Sequence, residues 1–486
     1  MTLTASLLSL GLGAALLSLV THLPVASAAW LALPLLLHAS RSMAGPAAIF
    51  FWIAVYAAFV AGNRGILPVS GAPYLGINAM LATTFALPFV IDRLAGSRMS
   101  GLASTLIFPT SFVAIEFLRS RFTQAATWNS LAYTQYGSLA LMQVAAFVGI
   151  WGISFMLGWT ASTLEWAWAR GFEWPAIRGP VLACASVLSF TLVGGGMRVA
   201  MAPTNHPSMR ATALSRPLDL FSAGEITRIT SGRVSVEERP YFTEKMGRLQ
   251  EWFLQGSRRE ARAGARLVAW PEQNLLVFAD DEPAFLARAR RLAAEEHVYL
   301  VMGLGTVYLG APLPFENKSV VMDPSGRILA AYRKTHPVAG WETGVMRRGD
   351  GRLPIVETPE GRLATAICYD ADFPEFMRQA GRGAADILIV PANEWREIKD
   401  VHMQMAVFRA IENGVSLLRP AASGLSSAVD PWGRMLGMSD HFSARDRTMT
   451  AHVPVGHVWT LYAKTGDVFA WLCVAGLAAV IASGLR

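Results

Sequence analysis

Three polar residues stand at the ends of apolar, strand-like segments, and together they could carry out acyl transfer. Glu272 follows a strand in AWPEQN, Lys334 follows one in AAYRKTH, and Cys368 ends one in ATAICYD. A thiol with an ordinary pKa of about 8.5 is mostly protonated at neutral pH, so it needs a base to become a nucleophile. A carboxylate whose pKa is raised by burial can be that base. A lysine can stabilise the oxyanion that forms when a thiolate attacks a carbonyl carbon.

Each of these residues also has a purely structural explanation when it is taken alone. A single buried cysteine is usually part of a hydrophobic core, a lysine after a strand is usually solvated, and a glutamate after Trp-Pro can cap a turn. The other two cysteines, Cys184 and Cys473, lie in long apolar runs. The three cysteines have neither a disulfide framework nor a metal-ligand spacing. We expect no metal and no organic cofactor.

The elements that would position the three residues belong to an α/β pattern that begins near residue 264. Strands are expected at 265–270, 298–303 and 386–391. Helices are expected at 282–297 and in the segment that follows the strand 386–391, up to about Asn413. Hairpins are expected around the turns PSG, PEG and PWG. This alternation is typical of an α/β domain with many hairpins. Polar groups at strand ends of such a fold can converge on one crevice. Residues 210–262 give no clear pattern.

The first half of the chain has the composition of a membrane domain. The chain is 53% hydrophobic and 16% charged, and the only acidic residues before Glu165 are Asp92 and Glu116. A membrane-spanning helix needs roughly 20 apolar residues. Candidate runs lie at 3–20, 24–38, 45–61, 73–91, 102–118, 138–161, 179–196 and 467–484. The sequence predicts a transmembrane domain over 1–200 with about seven helices, a catalytic domain over 205–462, and a last transmembrane helix over 466–486.

The arginines of the short loops indicate an orientation. If the N-terminus is cytoplasmic, the inner loops carry five arginines and the outer loops three, as the preference for positive charge inside requires. Residues 205–462 then lie outside, although one early run that does not span would invert this. The net charge of +7 suits contact with anionic lipid. No basic stripe is interleaved with aromatic residues, so we expect no nucleic-acid partner.

Three motifs in the order AWPE, YRKTH and ICYD resemble the Glu-Lys-Cys motifs of the nitrilase (carbon–nitrogen hydrolase) superfamily. The flanking apolar runs make the whole chain similar to the apolipoprotein N-acyltransferase family within it. WNSLAYTQYGSLALMQVAAFVGIWGISF resembles that family's signature in the span region, and KTGDVFAWLC resembles its entry to the last helix. Glu342 lies eight residues after Lys334, as the family's second glutamate does.

The resemblance implies a multi-span α-helical membrane domain plus an α/β nitrilase-like αββα sandwich outside the membrane. It implies catalysis by Glu272, Lys334 and Cys368, with support from Glu342, Tyr369 and Asp370.

The implied reaction moves an acyl chain from a phospholipid through a thioester on the cysteine to the N-terminal amine of a diacylglyceryl-cysteine lipoprotein. The implied location is the bacterial inner membrane, with the catalytic domain on the periplasmic side. We expect a monomer in contact with membrane lipid.

Several positions depart from the family pattern. The family usually has glutamate after Cys-Tyr, where this chain has Asp370. Its Asn-Asp-Ala-Trp-Phe stretch is replaced by Asn393-Glu394-Trp395-Arg396, and its Phe-Gly-Glu-Tyr lip by Gly340-Trp341-Glu342-Thr343. The triad is intact, but the acceptor side of the pocket differs. Trp341 and Trp395 are expected near the acyl chain, because they neighbour segments that lead from the site.

The sequence leaves three other functions open. A membrane-tethered amidase or nitrilase would use water instead of a lipoprotein amine, and a divergent paralogue would use another acyl acceptor. A non-catalytic scaffold would keep the fold without the chemistry, although the intact triad argues against it. The released product, free fatty acid or N-acylated peptide, separates the hydrolase from the acyltransferase. Labelling of Cys368 by a thiol-reactive probe tests the scaffold.

Overall fold

The structure is a computed structural model that describes residues 3–23, 25–43, 48–96, 99–203, 207–215, 220–444 and 447–484. It divides into two compact units. One consists of Met1–Ala202 with Thr465–Arg486 and is called the helical unit below. The other, Pro203–Lys464, is called the α/β unit.

The helical unit forms helices where the sequence has apolar runs. They are α1 Leu3–His22, α2 Ala26–Ser42, α3 Ala48–Gly62, α4 Gly71–Gly96, α5 Gly101–Phe122, α6 Leu139–Met142, α7 Ala145–Val148, α8 Ile150–Trp168, α9 Trp174–Ala200 and α16 Val468–Gly484. In the described part of the chain, α1, α4, α5 and α9 are long and apolar enough to cross a membrane, and a bent pair of helices could make a fifth span. The count of eight spans stays a prediction. Residues 24 and 45–47, expected in two of the spans, lie outside the described residues.

The candidate span expected over 138–161 is not one straight helix. The segments Leu139–Val148 and Ile150–Trp168 are bent by 119° relative to each other. Gly149 lies at the break with φ +70°, a left-handed conformation that glycine adopts without the steric cost of a Cβ atom. The straight helix of this region therefore begins at Ile150 rather than at 138.

In its described residues, the α/β unit contains two large mixed sheets and a small parallel sheet of two strands. Its strands are β1 Ser208–Leu214, β2 Leu267–Ala269, β3 Leu275–Phe278, β4 Tyr299–Val307, β5 Phe315–Met322, β6 Ile328–Arg333, β7 Ile355–Thr358, β8 Gly361–Thr365, β9 Ile387–Ile389, β10 Ala392–Asn393, β11 Ser416–Arg419, β12 Ala421–Ala422, β13 Leu425–Val429, β14 Met435–Asp440 and β15 Thr448–Pro454. One large sheet has the order β15-β1-β2-β4-β5-β6 with β3 beside β4, and the other has the order β14-β13-β11-β9-β8-β7. The small sheet pairs β10 with β12.

The α/β unit also contains helices, several of which pack on the outer faces of the two large sheets. They are α10 Ala223–Thr230, α11 Arg239–Arg262, α12 Glu282–Glu296, α13 Pro374–Arg382, α14 Lys399–Asn413 and α15 Leu461–Thr465. A buried cluster that includes Leu267 of the first sheet and Ile387 of the second joins the sheets face to face. On the outer face of the first sheet, Phe253 of α11 and Phe285 of α12 pack around Trp270, and α14 contacts β11 and β13 of the second sheet. This layering confirms the expected αββα sandwich.

The strand directions bring the ends of several strands to one side of the fold. β2 is parallel to β4, and the two antiparallel pairings β4–β5 and β5–β6 return β6 to the direction of β4. The carboxyl ends of β2 and β6, which precede Glu272 and Lys334, therefore share one edge of the first sheet. In the second sheet β8 is parallel to β9, so Cys368 and Asn393 follow neighbouring strand ends. The hairpins expected around PSG, PEG and PWG are β5–β6, β7–β8 and β13–β14.

Candidate active site

Lys334 lies between two buried carboxylates. Its Nζ donates hydrogen bonds to Oε1 of Glu272 and to Oε2 of Glu342, each over 2.8 Å. The lysine is only 1% exposed to solvent. Burial lowers the pKa of Lys334, but the charges of Glu272 and Glu342 outweigh burial and hold that pKa well above the ordinary lysine value. Lys334 is therefore a fixed ammonium group in a site from which water is largely excluded.

The two glutamates share further hydrogen-bond donors. Asn317 Nδ2 donates to Oε1 of Glu272 over 2.7 Å and to Oε1 of Glu342 over 2.9 Å. The backbone N–H of Asn393 donates to the second oxygen of Glu272 over 3.0 Å. Gln273 Nε2 donates to Oε1 of Glu342 over 2.7 Å. Each carboxylate is held by several donors, which is what a buried anion requires.

A glycine in β4 allows the Glu272 segment to approach the sheet. A Cβ atom at Gly303 would lie 2.1 Å from the backbone oxygen of Pro271 and 2.9 Å from Cα of Glu272. Any larger residue would have to displace the backbone beside Glu272. We infer that Gly303 sets the position of this carboxylate relative to Lys334.

Cys368 begins a short 3-10 helix, Cys368–Asp372, just after β8. Its φ of +47° lies in the left-handed region, which costs a non-glycine residue about 1–3 kcal/mol and persists only where surrounding contacts enforce it. The Cys368 N–H donates to the Pro391 oxygen over 2.9 Å, and Sγ donates to the Asn393 oxygen over 3.8 Å. The side chain that sequence reasoning selected as nucleophile thus sits on a strained, well-held turn.

The electrostatic setting keeps the thiol of Cys368 protonated in the resting protein. Burial raises the pKa of Cys368 well above its usual value, and the charge of Glu272 raises it further. Lys334 acts in the opposite direction and favours the thiolate, but does not outweigh the other two effects. Proton transfer from the thiol therefore needs a base at the moment of reaction.

Asp370 ties the cysteine turn to the segment after Lys334. Its carboxylate accepts from the Tyr332 hydroxyl over 2.7 Å, from the His336 N–H over 2.9 Å and from the Thr335 N–H over 3.2 Å. The half-buried ring of Tyr369 lies edge-on to Phe373, with 5.1 Å between ring centroids. Asp370 is thus directed at the backbone of the lysine segment, and its supporting role stays a prediction.

Trp341 and Trp395 lie on the segments that flank the site. Trp341 belongs to the turn between Val338 and Glu342, and its side chain is 55% exposed. Trp395 is half-buried and follows Glu394. Their proximity to an acyl chain stays a prediction, whereas Glu272, Lys334 and Glu342 form one hydrogen-bonded cluster coupled electrostatically to Cys368.

Sequence reasoning missed Asn317, which binds both glutamates. In the sequence, the triplet Asn317-Lys318-Ser319 matches a glycosylation sequon, and such triplets are too common to indicate a functional residue. The feature that could have pointed to Asn317 is its place in β5, which is buried along its whole length. A polar side chain in such a strand needs a hydrogen-bond partner. Among the described residues, no group of three or more His, Cys, Asp and Glu side chains could hold a metal ion.

Two family models match this chain. The Carbon-nitrogen hydrolase model matches residues 237–459, which include Glu272, Lys334 and Cys368. The model of the Apolipoprotein N-acyltransferase N-terminal domain matches residues 12–163. The fold and the matched region define the α/β unit as the catalytic domain of a nitrilase-superfamily enzyme.

Curated relatives of one name match most of this chain. Apolipoprotein N-acyltransferase of Geobacter metallireducens is 28% identical over 94% of this chain and 91% of its own length. The enzyme of that name from Brucella melitensis is 28% identical over 75% of this chain and 70% of its own length. A solved amidase from Nesterenkonia sp. is 20% identical, with a TM-score of 0.43, over 56% of this chain and 98% of its own. With the two family models, the curated relatives make this chain similar to apolipoprotein N-acyltransferases over most of its length.

The charge of Glu272 should affect thiol labelling and acyl transfer in opposite ways. Glu272→Gln removes the negative charge that raises the pKa of Cys368 and leaves Lys334, which lowers it. Alkylation of Cys368 by iodoacetamide should then begin at a lower pH than in the wild type, because more thiolate is present. The same variant should lose acyl transfer, because it lacks the carboxylate that is expected to act as the base. Alkylation that shifts to higher pH in Glu272→Gln would contradict this electrostatic assignment.

Proposed function

We propose that this protein moves a fatty acyl chain from a phospholipid to the N-terminal amine of a diacylglyceryl-cysteine lipoprotein. The observation that carries the proposal is the buried pair of carboxylates around Lys334, coupled electrostatically to Cys368. The site lies in a chain that also has the N-terminal domain of apolipoprotein N-acyltransferases. Relatives with that name, matched over most of the chain, favour this reaction over hydrolysis by a membrane-tethered amidase.

The first half-reaction loads the cysteine. Glu272 takes the proton from Sγ of Cys368, and the thiolate attacks the ester carbonyl of the phospholipid. A carbon–sulfur bond forms, and the ammonium of Lys334 stabilises the tetrahedral oxyanion. The ester carbon–oxygen bond then breaks, and the proton held by Glu272 passes to the leaving lysophospholipid oxygen. An acyl thioester remains on the enzyme.

The second half-reaction transfers the acyl chain to nitrogen. The neutral α-amine of the acceptor attacks the thioester carbonyl, and Lys334 again stabilises the oxyanion. Glu272 takes a proton from the attacking nitrogen. The carbon–sulfur bond breaks as the amide forms, and the thiolate of Cys368 regains the proton from Glu272. Atoms and charges balance without a further reactant.

Glu342 is proposed to hold Lys334 rather than to exchange protons with substrate. It accepts from Lys334, Asn317 and Gln273, and also from the Val338 N–H over 2.8 Å. Such a fully occupied carboxylate fixes the ammonium in place and has little capacity for a second role. The family departure at Asp370 falls in the internal support of the turn, since its carboxylate faces Tyr332 and the lysine segment.

The proposed location is the inner membrane of a bacterium, with the α/β unit on the periplasmic side. The arginine bias of the loops supports this orientation. Both proposed substrates are membrane-bound lipids, so a catalytic unit connected to apolar helices meets them where they reside. We propose that the protein acts as a monomer.

The product identifies the reaction. The purified protein is mixed with phospholipid and a synthetic diacylglyceryl-cysteine peptide, and the products are weighed by mass spectrometry. We expect N-acylated peptide and lysophospholipid in equal amounts. Cys368→Ser should be nearly inactive, because a hydroxyl has a far higher pKa than a thiol, whereas the matched variant Cys184→Ser should remain active. Free fatty acid without N-acylated peptide would instead identify a hydrolase.

Trp341 and Trp395 should contribute to binding of the acyl chain. An exposed tryptophan such as Trp341 buries a large apolar area when a chain lies against it. Trp341→Ala and Trp395→Ala should raise the KM for phospholipid several-fold, with little change in kcat or thermal stability. The matched control is Trp459→Ala, which replaces another exposed tryptophan of the α/β unit. If both variants keep normal stability and normal acyl transfer, the two residues do not line the acyl path.

A further inference from the structure

A second buried charge network lies directly behind the candidate active site. Its centre is His402 on α14, which is 2% exposed. Nδ1 of His402 lies 2.6 Å from Oε1 of Glu394, and Nε2 lies 3.1 Å from Oδ1 of Asp372. Ionised carboxylates can only accept hydrogen bonds, so both ring nitrogens must donate. Arg419 Nη2 also lies 3.1 Å from Nδ1, but the shorter contact of Nδ1 with Glu394 assigns the proton to that nitrogen. With both carboxylates ionised, the geometry fits an imidazolium cation.

The two partners of His402 belong to the two segments that contact the nucleophile. Asp372 ends the 3-10 helix that begins with Cys368. Glu394 directly follows Asn393, whose N–H donates to Glu272 and whose carbonyl oxygen accepts from Sγ of Cys368. The imidazolium thus connects the turn that carries the thiol to the peptide that touches both the thiol and the base.

The charges around His402 balance. Arg419, at the end of β11, donates through Nη2 to the same oxygen of Glu394 that His402 contacts. Among the described residues, Glu394, Asp372 and Arg419 contact the imidazole. The 3-10 helix that packs on α14 also carries Cys368 and Asp370, whereas the buried residues of α13 and β13, which pack on α14 too, are uncharged. Two carboxylates and two cations make a neutral cluster, which avoids the cost of an unpaired buried charge.

The pKa values of the network agree with this geometry. Burial lowers the pKa of His402, but Asp372 and Glu394 outweigh burial and raise it to about 9. Burial raises the pKa of Glu394, but Arg419 and His402 outweigh that effect and hold it below its usual value. The cation of His402 is thus present at neutral pH and is lost as the pH rises through about 9.

We propose that His402 is a positioning residue that bridges the Cys368 turn and the Asn393 peptide, and so fixes the nucleophile relative to Glu272. This inference rests on the proposed function for its kinetic readout, although the bridge itself concerns only the resting geometry. His402 takes part in no step of the proposed reaction. Its loss should therefore lower kcat, while KM should change little.

A conservative variant separates bridging from simple packing. In Asp372→Asn, the side-chain amide can donate to Nε2 of a neutral imidazole, while Nδ1–H still donates to Glu394. Both contacts survive without the imidazolium. In His402→Phe and Asp372→Ala the bridge is broken, and a misplacement of about 1 Å can cost roughly a hundredfold in rate. His452→Phe, at an exposed position of β15, is the matched histidine control.

The test measures acyl transfer between pH 6 and 10, together with alkylation of Cys368 by iodoacetamide, which needs no lipid. We expect kcat to fall about tenfold to a hundredfold in His402→Phe and Asp372→Ala, and less in Asp372→Asn. Wild-type activity should decline above about pH 9, and Asp372→Asn should lose that decline because its network already works with a neutral imidazole. The two broken-bridge variants should be alkylated faster, since the buried thiol becomes accessible.

The inference is overturned if His402→Phe keeps the wild-type kcat, or if Asp372→Asn behaves like Asp372→Ala or keeps the decline above pH 9. A variant that fails to fold, judged by its circular dichroism, does not decide the matter, because Asp372→Asn preserves the hydrogen bonds and carries the test. If the wild type transfers no acyl chain but the alkylation pattern holds, the proposed function fails while the bridge stands.

Discussion

The hydrogen-bonded ion cluster of Lys334 with Glu272 and Glu342 is the constraint on which the rest of the site depends. Removing charges from water is costly, and the cost is offset only when each charge has close partners of opposite sign and enough hydrogen bonds. The protein meets this requirement with one ammonium, the Asn317 amide, and backbone N–H groups from Val338 and Asn393. Loss of the ammonium would leave two buried carboxylates facing each other.

The sandwich supplies these partners because several strands end at one place. Glu272 and Lys334 follow two strands of one sheet, whereas Cys368 and Asn393 follow two strands of the other, so the site is closed only when the sheets pack together. The left-handed backbone of Cys368 stores strain at this junction. The buried His402 network pairs charges in the same way. Its contacts with Asp372 and Glu394 hold the strained Cys368 turn against the Asn393 peptide.

Local sequence patterns predicted much of the fold and part of the site. The hairpins and the main strands follow from alternation and turn residues. Short motifs selected Glu272, Lys334 and Cys368, whose catalytic roles stay predictions. The break at Gly149 was not predicted because one glycine hardly changes the mean hydropathy of an apolar run. Asn317 and His402 were missed because their partners lie far away in sequence, at Glu342 and Asp372 among others, and only the packed sheets bring them together.

The central claim is that Cys368 carries the acyl chain as a thioester, and intact-mass measurement tests it most directly. With phospholipid present and no amine acceptor, the protein should gain the mass of one acyl chain at Cys368, because a buried thioester is shielded from water. Cys368→Ala should show no such gain, whereas Cys473→Ala should gain it normally. An adduct that survives Cys368→Ala, or that maps to another residue, would contradict the account.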